Sequence, residues 1–299
     1  MTVSTTTSSG ISGQRSGANM VEGEFAFTDA DFRKISAMVH GDAGIHLPDA
    51  KATLVYSRLA KRLRALGLTS FKDYCALVAG AEGVDERQKM LAALTTNVTR
   101  FFREPHHFDH LRDKLLPPLL DAARRGGKVR IWSAACSSGQ EPFSIAMTIL
   151  SLMPEAPDKD IRILATDIDP NMVAEGRSGA YAPHLLEGVP DPFRKRWTSP
   201  RGDGRLQMAD DLRALVTFNE LNLIGDWPMK GKFDAIFCRN VAIYFEDDTQ
   251  ARLWSRFAPL IPVGGSLYIG HSERIQGPAV SAFKPDGVTT YRRVQETQR

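Results

Sequence analysis

Four short stretches carry residue types from which a ligand site can be built. Asp167-Ile-Asp169 directly follows an apolar run. A carboxylate there can accept hydrogen bonds from both hydroxyls of an adenosine ribose. Asp169 precedes Pro170 and suits a helix cap, so the ligand assignment falls on Asp167. Ala134-Ala-Cys-Ser-Ser-Gly-Gln-Glu-Pro142 has small residues that let backbone approach a ligand, although a plain tight strand-to-helix turn fits equally well. It lacks the Lys and following Ser or Thr of a phosphate loop, so that chemistry is excluded. Arg239-Asn240-Val-Ala-Ile-Tyr244-Phe245 sets two polar residues straight after an apolar strand, where a ligand can supply the partners they need. Tyr244 can face the same crevice, while Phe245 reads as a core anchor. The fourth stretch, residues 95–104, packs polar and aromatic side chains together without a period. It reads as a segment laid across a site rather than a loose linker.

These stretches need a scaffold, and the pattern around them supplies one. Residues 129–134, 161–166, 216–221, 233–238 and 266–270 read as strands, and 288–294 as a last strand. Helical spacing falls between them at 141–153, from 170 to 176, and at 249–261. Strands alternating with helices imply a doubly wound α/β sheet, whose ligands bind at the carboxyl ends of the strands. Residues 181–213 carry Pro183, Pro190, Pro192 and Pro200, and read as an inserted subdomain with a small antiparallel excursion, or as a long irregular loop. Before the sheet, residues 23–95 read as a small all-α domain. One helix is capped at Thr28 or Asp29, a break spans 41–48, and a second helix buries Val55, Leu59, Leu63 and Leu66 before Gly67 ends it. Two more follow, from 69 and over 85–94. The α/β sheet domain then covers 96–299, and the Ser-, Thr- and Gly-rich residues 1–22 read as a disordered tail.

Composition narrows the class. The net charge of +3 argues against a nucleic-acid protein with a global basic field, and no apolar run is long enough to cross a membrane. The three cysteines, Cys75, Cys136 and Cys238, lie far apart without metal-ligand spacing, which points to reduced thiols in the cytoplasm and to no metal.

The sequence resembles the CheR family of chemotaxis protein-glutamate O-methyltransferases. The matching stretches are Thr95-Thr-Asn-Val-Thr-Arg-Phe-Phe-Arg-Glu, Trp132-Ser-Ala-Ala-Cys-Ser-Ser-Gly-Gln-Glu-Pro and Ala165-Thr-Asp-Ile-Asp. Phe233-Asp-Ala-Ile-Phe-Cys-Arg-Asn-Val-Ala-Ile-Tyr-Phe, Pro262-Val-Gly-Gly and Gly270-His-Ser-Glu continue them, in family order. The resemblance implies a Rossmann-like class I methyltransferase sheet and S-adenosylmethionine (SAM) as cosubstrate, with S-adenosylhomocysteine as product. It implies SAM contacts at Asn97, Thr99, Arg103, Glu141, Asp167, Asn222, Leu223, Arg239 and Asn240, and places Arg103 and Tyr244 beside the reacting methyl. It also implies a helical domain that docks the cytoplasmic part of a chemoreceptor. Gln140 and Ala242 depart from the commoner family residues, and the insertion is the least alike region.

The implied nucleophile is a glutamate already ionised at neutral pH, so no general base is required. His271 is better read as holding the turn to Glu273. Arg58, Lys61, Arg62 and Arg64 make a basic helix face for an acidic receptor, in a stretch, residues 51–69, without Asp or Glu. A monomer is expected. The competing readings are a SAM methyltransferase of another protein or small molecule, which an acceptor screen separates, and a non-catalytic SAM-binding family member, which would bind without turnover.

Overall fold

The computed structural model describes residues 19–294. Most of the expected tail, residues 1–18, lies outside them, and Asn19 forms an antiparallel bridge with Thr28. Two compact units divide the chain: Met1–Met38 with Leu47–Leu94, and Val39–His46 with Thr95–Arg299. The short segment Val39–His46, which includes the end of the first helix, thus groups with the sheet unit.

The first unit is helical. Helix α1 (Asp29–Ala43) starts with a reciprocal cap, in which the Thr28 amide donates to Asp31 and the Asp31 amide donates to Thr28 Oγ1. The expected break over 41–48 starts later, since the helix continues through Gly41 to Ala43. Helix α2 (Ala52–Leu66) ends at left-handed Gly67, α3 (Phe71–Ala79) is capped by Ser70, and α4 (Val84–Leu94) completes the set. Val55, Leu59 and Leu63 are buried with Phe27, Phe32, Phe71 and Tyr74. Leu66, expected in that stripe, is 40% exposed, because Ala60 and Ala52 fill the buried side of α2 instead.

The second unit opens with α5 (Pro105–His110), a π-helical turn over Leu111–Leu115, and α6 (Leu116–Arg124). Pro117 and Pro118 have no N–H to give the preceding turn, which loosens it. Then come β1 (Val129–Ala134), α7 (Gln140–Leu152), β2 (Ile161–Asp167) and α8 (Pro170–Ser178). The insertion follows as β3 (Ala180–Tyr181), α9 (Asp191–Trp197), β4 (Thr198–Pro200), β5 (Leu206–Met208) and α10 (Asp210–Leu215). Its strands form a separate antiparallel sheet in the order β3-β5-β4. The chain returns with β6 (Val216–Glu220), β7 (Ala235–Cys238), α11 (Asp247–Phe257) and β8 (Ser266–Ile269). A hairpin of β9 (Phe283–Gly287) and β10 (Thr290–Arg293) closes it.

The main sheet has the order β6-β2-β1-β7-β8-β10-β9. The first five strands are mutually parallel, and β10 and β9 join antiparallel. Alternate residues serve opposite faces. Ile131, Phe237 and Tyr268 enter one core with Phe143 and Leu111, while Trp132, Ile236 and Leu267 enter another with Trp254 and Phe257. This is the doubly wound, Rossmann-like arrangement that the strand rhythm implied. Strand order reverses between β1 and β7, which is where such sheets bind ligands.

Candidate active site

The turn between β1 and α7 bends sharply enough to need three left-handed residues, Ala135, Ser137 and Gly139. At Gly139 (φ 96°) a Cβ would lie 2.8 Å from the Tyr181 hydroxyl and 2.9 Å from the Gly176 backbone, so glycine is required twice over. Asp167, 6% exposed at the end of β2, fastens this turn. One carboxylate oxygen accepts from the Ser137 amide at 2.7 Å, and the other from the Asp169 amide at 3.0 Å. Burial raises its pKa, and these amides oppose the shift. Asp169 caps α8 through the Asn171 amide and also accepts from Asn97 Nδ2 at 2.8 Å. The Asn97 carbonyl accepts from Ser137 Oγ, so residues 95–104 are pinned onto the turn.

Arg239 stands at the crossing point with its side chain 2% exposed. It pairs with Glu141 at 3.0 Å and Glu104 at 3.4 Å, and donates to the Arg103 carbonyl. Among the described residues its Nε has no partner. A guanidinium buried this deeply needs both carboxylates. Burial raises the pKa of Glu141 against the pull of Arg239. Burial acts on Glu104 in the same sense, but Arg239, helped by hydrogen bonds from His271 and Asn240, outweighs it and holds that carboxyl below its usual range.

Residues 102–104 carry local strain, since Phe102 (φ 50°) and Glu104 (φ 59°) are left-handed on either side of Arg103. The Arg103 guanidinium rests on the Val98 carbonyl at 3.0 Å. On the other wall Asn240 is left-handed, its amide donates to Glu273, and its Nδ2 lies 3.4 Å from Glu104. Tyr244 is half-buried, and its carbonyl accepts from the His46 amide at 2.8 Å. Asn222 donates to the Asp42 carbonyl at 2.6 Å, so the segment Val39–His46 braces both residues.

Glu104, His106 and His107 each offer a ligand atom within 4.8 Å of the others. A cation among them would sit against Arg239, whose charge already helps, after burial, to lower the His107 pKa to about 3. Glu104 Oε2, His106 Nε2 and His107 Nδ1 are buried without a hydrogen-bond partner among the described residues, and the charge of Arg239 opposes a further cation there.

A CheR methyltransferase SAM-binding domain model matches residues 97–291, and a CheR all-alpha domain model matches residues 30–95. The chain belongs to the CheR methyltransferase family. A probable chemotaxis protein methyltransferase of Rhizobium etli is 58% identical, over 85% of this chain and 96% of that protein. The chemotaxis protein methyltransferase of Escherichia coli is 42% identical, over 89% of this chain and 92% of that one. That of Salmonella typhimurium is 40% identical, over 95% and 97% respectively.

In this CheR-family chain the expected residues do not all stand free. Asn97, Asp167 and Asn222 have polar atoms already engaged by protein, and Leu223, 6% exposed, lends its carbonyl to Arg256. Thr99 is half-buried on the pinned segment. His271 does not hold the turn to Glu273. It is exposed and approaches Glu104 at 3.3 Å, while Glu273 is itself bound by backbone amides. Sequence reasoning missed Glu104 and Glu273 as site residues. The position of Glu273 just past Gly270 at a strand end was the available signal.

On α2, Arg62 makes a two-point bond to Glu86, at 2.9 and 2.6 Å, and Glu86 also accepts from Tyr74. Arg64 pairs with Glu24 at 2.8 Å, and Arg58 donates to the Ala93 carbonyl. Lys61 is exposed. Acids from elsewhere in the unit thus offset a run that looks purely basic in sequence.

Proposed function

We propose that this chain transfers the methyl group of SAM to glutamate side chains of chemoreceptors, leaving glutamyl methyl esters and S-adenosylhomocysteine. The observation that carries the reading is the meeting of the β1–α7 turn, Asp167 and buried Arg239 at the point where strand order reverses, in a chain of the CheR family. SAM supplies a methyl activated by sulfonium charge, and the residues supply position. Each Asp167 oxygen accepts one amide and keeps a lone pair for a ribose hydroxyl. Arg239 has an unpartnered Nε among its carboxylates. Asn97, Thr99, Glu141, Asn222, Leu223 and Asn240 complete the SAM contacts in this proposal.

Among the described residues the Arg103 guanidinium is held only by a carbonyl, so it can turn to grip the incoming carboxylate by two parallel bonds. Tyr244 donates a hydrogen bond near the reacting centre. The glutamate attacks as an anion, so orientation and exclusion of water do the work. His107, kept neutral at working pH, bonds Thr289 and takes no part.

Arg58, Lys61 and Arg64 on α2 meet the acidic receptor region, with Arg62 set mainly to structure. The enzyme acts as a cytoplasmic monomer and binds no nucleic acid in this reading. Among the described residues no helix is long and apolar enough to cross a membrane.

The test is transfer of labelled methyl from SAM to purified receptor cytoplasmic domains, followed by base. Release of labelled methanol is the expected result, because esters hydrolyse and methylated amines do not. Transfer only to other acceptors, or SAM binding without turnover, overturns the proposal.

A further inference from the structure

The backbone that leaves β7 has no strand partner at Asn240, Val241 and Ala242. Asn240 is left-handed, Val241 sits at φ −123° and ψ −38°, and residues 242–244 make one 3₁₀ turn. Three successive amides therefore need an acceptor, and a single carboxylate receives them all. Glu273 Oε2 accepts from Asn240 at 3.0 Å, and Oε1 accepts from Val241 at 2.9 Å and Ala242 at 2.8 Å. Oε2 also accepts from Gly270 at the end of β8. The residue is 3% exposed. Successive amides form a concavity of positive potential, and bonds from such a nest to an anion are strong and directional. Gly270 makes room for the arrangement, since a Cβ there would lie 2.4 Å from Asn240 Nδ2 and 2.9 Å from Glu273 Oε2.

We infer that Glu273 is a positioning residue for methyl transfer: its carboxylate fixes the backbone of residues 240–242 and so aims Arg239, Asn240 and Tyr244 at bound SAM. It touches no reacting atom. The inference rests on the reading of residues 239–244 as part of the SAM and methyl-transfer site.

Glu273→Gln and Glu273→Asp test it in the full chain. Glutamine keeps the volume but offers one acceptor oxygen and turns an NH₂ group toward amides. Its kcat per folded molecule falls about a hundredfold, the loss that a misplacement near 1 Å brings, while the KM for receptor stays within about threefold. Aspartate keeps both oxygens and recovers about tenfold over glutamine. Leu253→Ala, in the buried face of α11, lowers Tm without lowering kcat per folded molecule and so calibrates simple destabilisation.

If Glu273→Gln keeps wild-type kcat, or loses activity only in step with Tm as Leu253→Ala does, the inference is overturned. Where the glutamine variant does not fold, wild-type kcat in folded Glu273→Asp overturns it equally. Calorimetry of S-adenosylhomocysteine on the wild type separates the two levels. A wild type that neither binds it nor methylates receptor sinks the site reading, whereas a wild type that binds it and is matched in kcat by its variants sinks only the role of Glu273.

Discussion

Asp167 fastens the β1–α7 turn and, in the proposed function, also holds a ribose, and its replacement separates the two. In the free protein its two oxygens accept the Ser137 and Asp169 amides at 2.7 and 3.0 Å. Hydrogen bonds to a charged group contribute about 1.5–3 kcal/mol each, so Asp167→Ala should lose roughly 3–6 kcal/mol of folding stability. Most single-domain stabilities are only about 5–15 kcal/mol, so the alanine variant stands near the limit of folding. Asp167→Asn is the usable probe, because it retains one acceptor and should cost about half as much. Urea unfolding of the free protein reads the structural part. Calorimetry of S-adenosylhomocysteine, on protein shown to be folded, reads the ligand part. Loss of the charged contact to ribose should weaken binding by about 10- to 150-fold, the equivalent of about 1.5–3 kcal/mol. Unchanged affinity in a folded Asp167→Asn would refute the ribose contact, and unchanged urea stability would refute the fastening of the turn.

Arg103→Ala and Tyr244→Phe should each lower kcat more than they weaken S-adenosylhomocysteine binding, and steady-state kinetics showing wild-type turnover in both would remove their catalytic roles. The unfolded chain protonates His107 near its ordinary 6.5, while the folded chain, because of burial first and Arg239 next, resists until about 3. That contribution to stability is complete above pH 6.5 and declines by up to about 1.4 kcal/mol per pH unit below it, so His107→Gln should flatten the acid side of a pH–stability curve. Arg62→Ala strands the buried Glu86 carboxylate and should cost roughly 3 kcal/mol in urea unfolding. Reversing Arg58 and Arg64 to Glu should instead raise the KM for receptor in low salt and leave SAM affinity alone, and wild-type methylation by that double variant would exclude α2 as the docking face.

Buried parallel strands announce themselves because both faces are apolar, which is why β1, β2, β7 and β8 were legible as runs. The helical stretch from Pro105 to Arg124 was not, since three prolines and clustered histidines break its period and only packing on Phe143 and Ile131 restores it. Strand β9 reads Phe-Lys-Pro-Asp-Gly, a turn by composition, and survives as an edge strand where its proline need not donate. At the site, types and strand ends pointed to Asp167, Arg239 and Asn240. The ion pair of Arg239 with Glu104 joins residues that only the closed sheet brings together, and no local pattern encodes it. The same holds for the engagement of Arg62 by Glu86, which turns an apparent contact residue into a structural one.

The insertion enters and leaves the sheet unit through one doorway, because the Met208 amide donates to the Gly179 carbonyl at 2.8 Å. An arm closed at its base can lengthen or shorten at its tip for little entropy, as loop-closure cost grows only slowly with length. At its tip, the exposed turn with left-handed Gly204, Gly202 and Gly204 face open space. Its base is another matter, since Tyr181 donates to the Ser138 carbonyl at 2.6 Å and Gly188 lies against the Phe101 carbonyl. Lineages of this enzyme can therefore remodel the reach of the arm while the hinge stays fixed. Divergence between relatives should concentrate at residues 201–205 and spare Gly179, Tyr181 and Gly188.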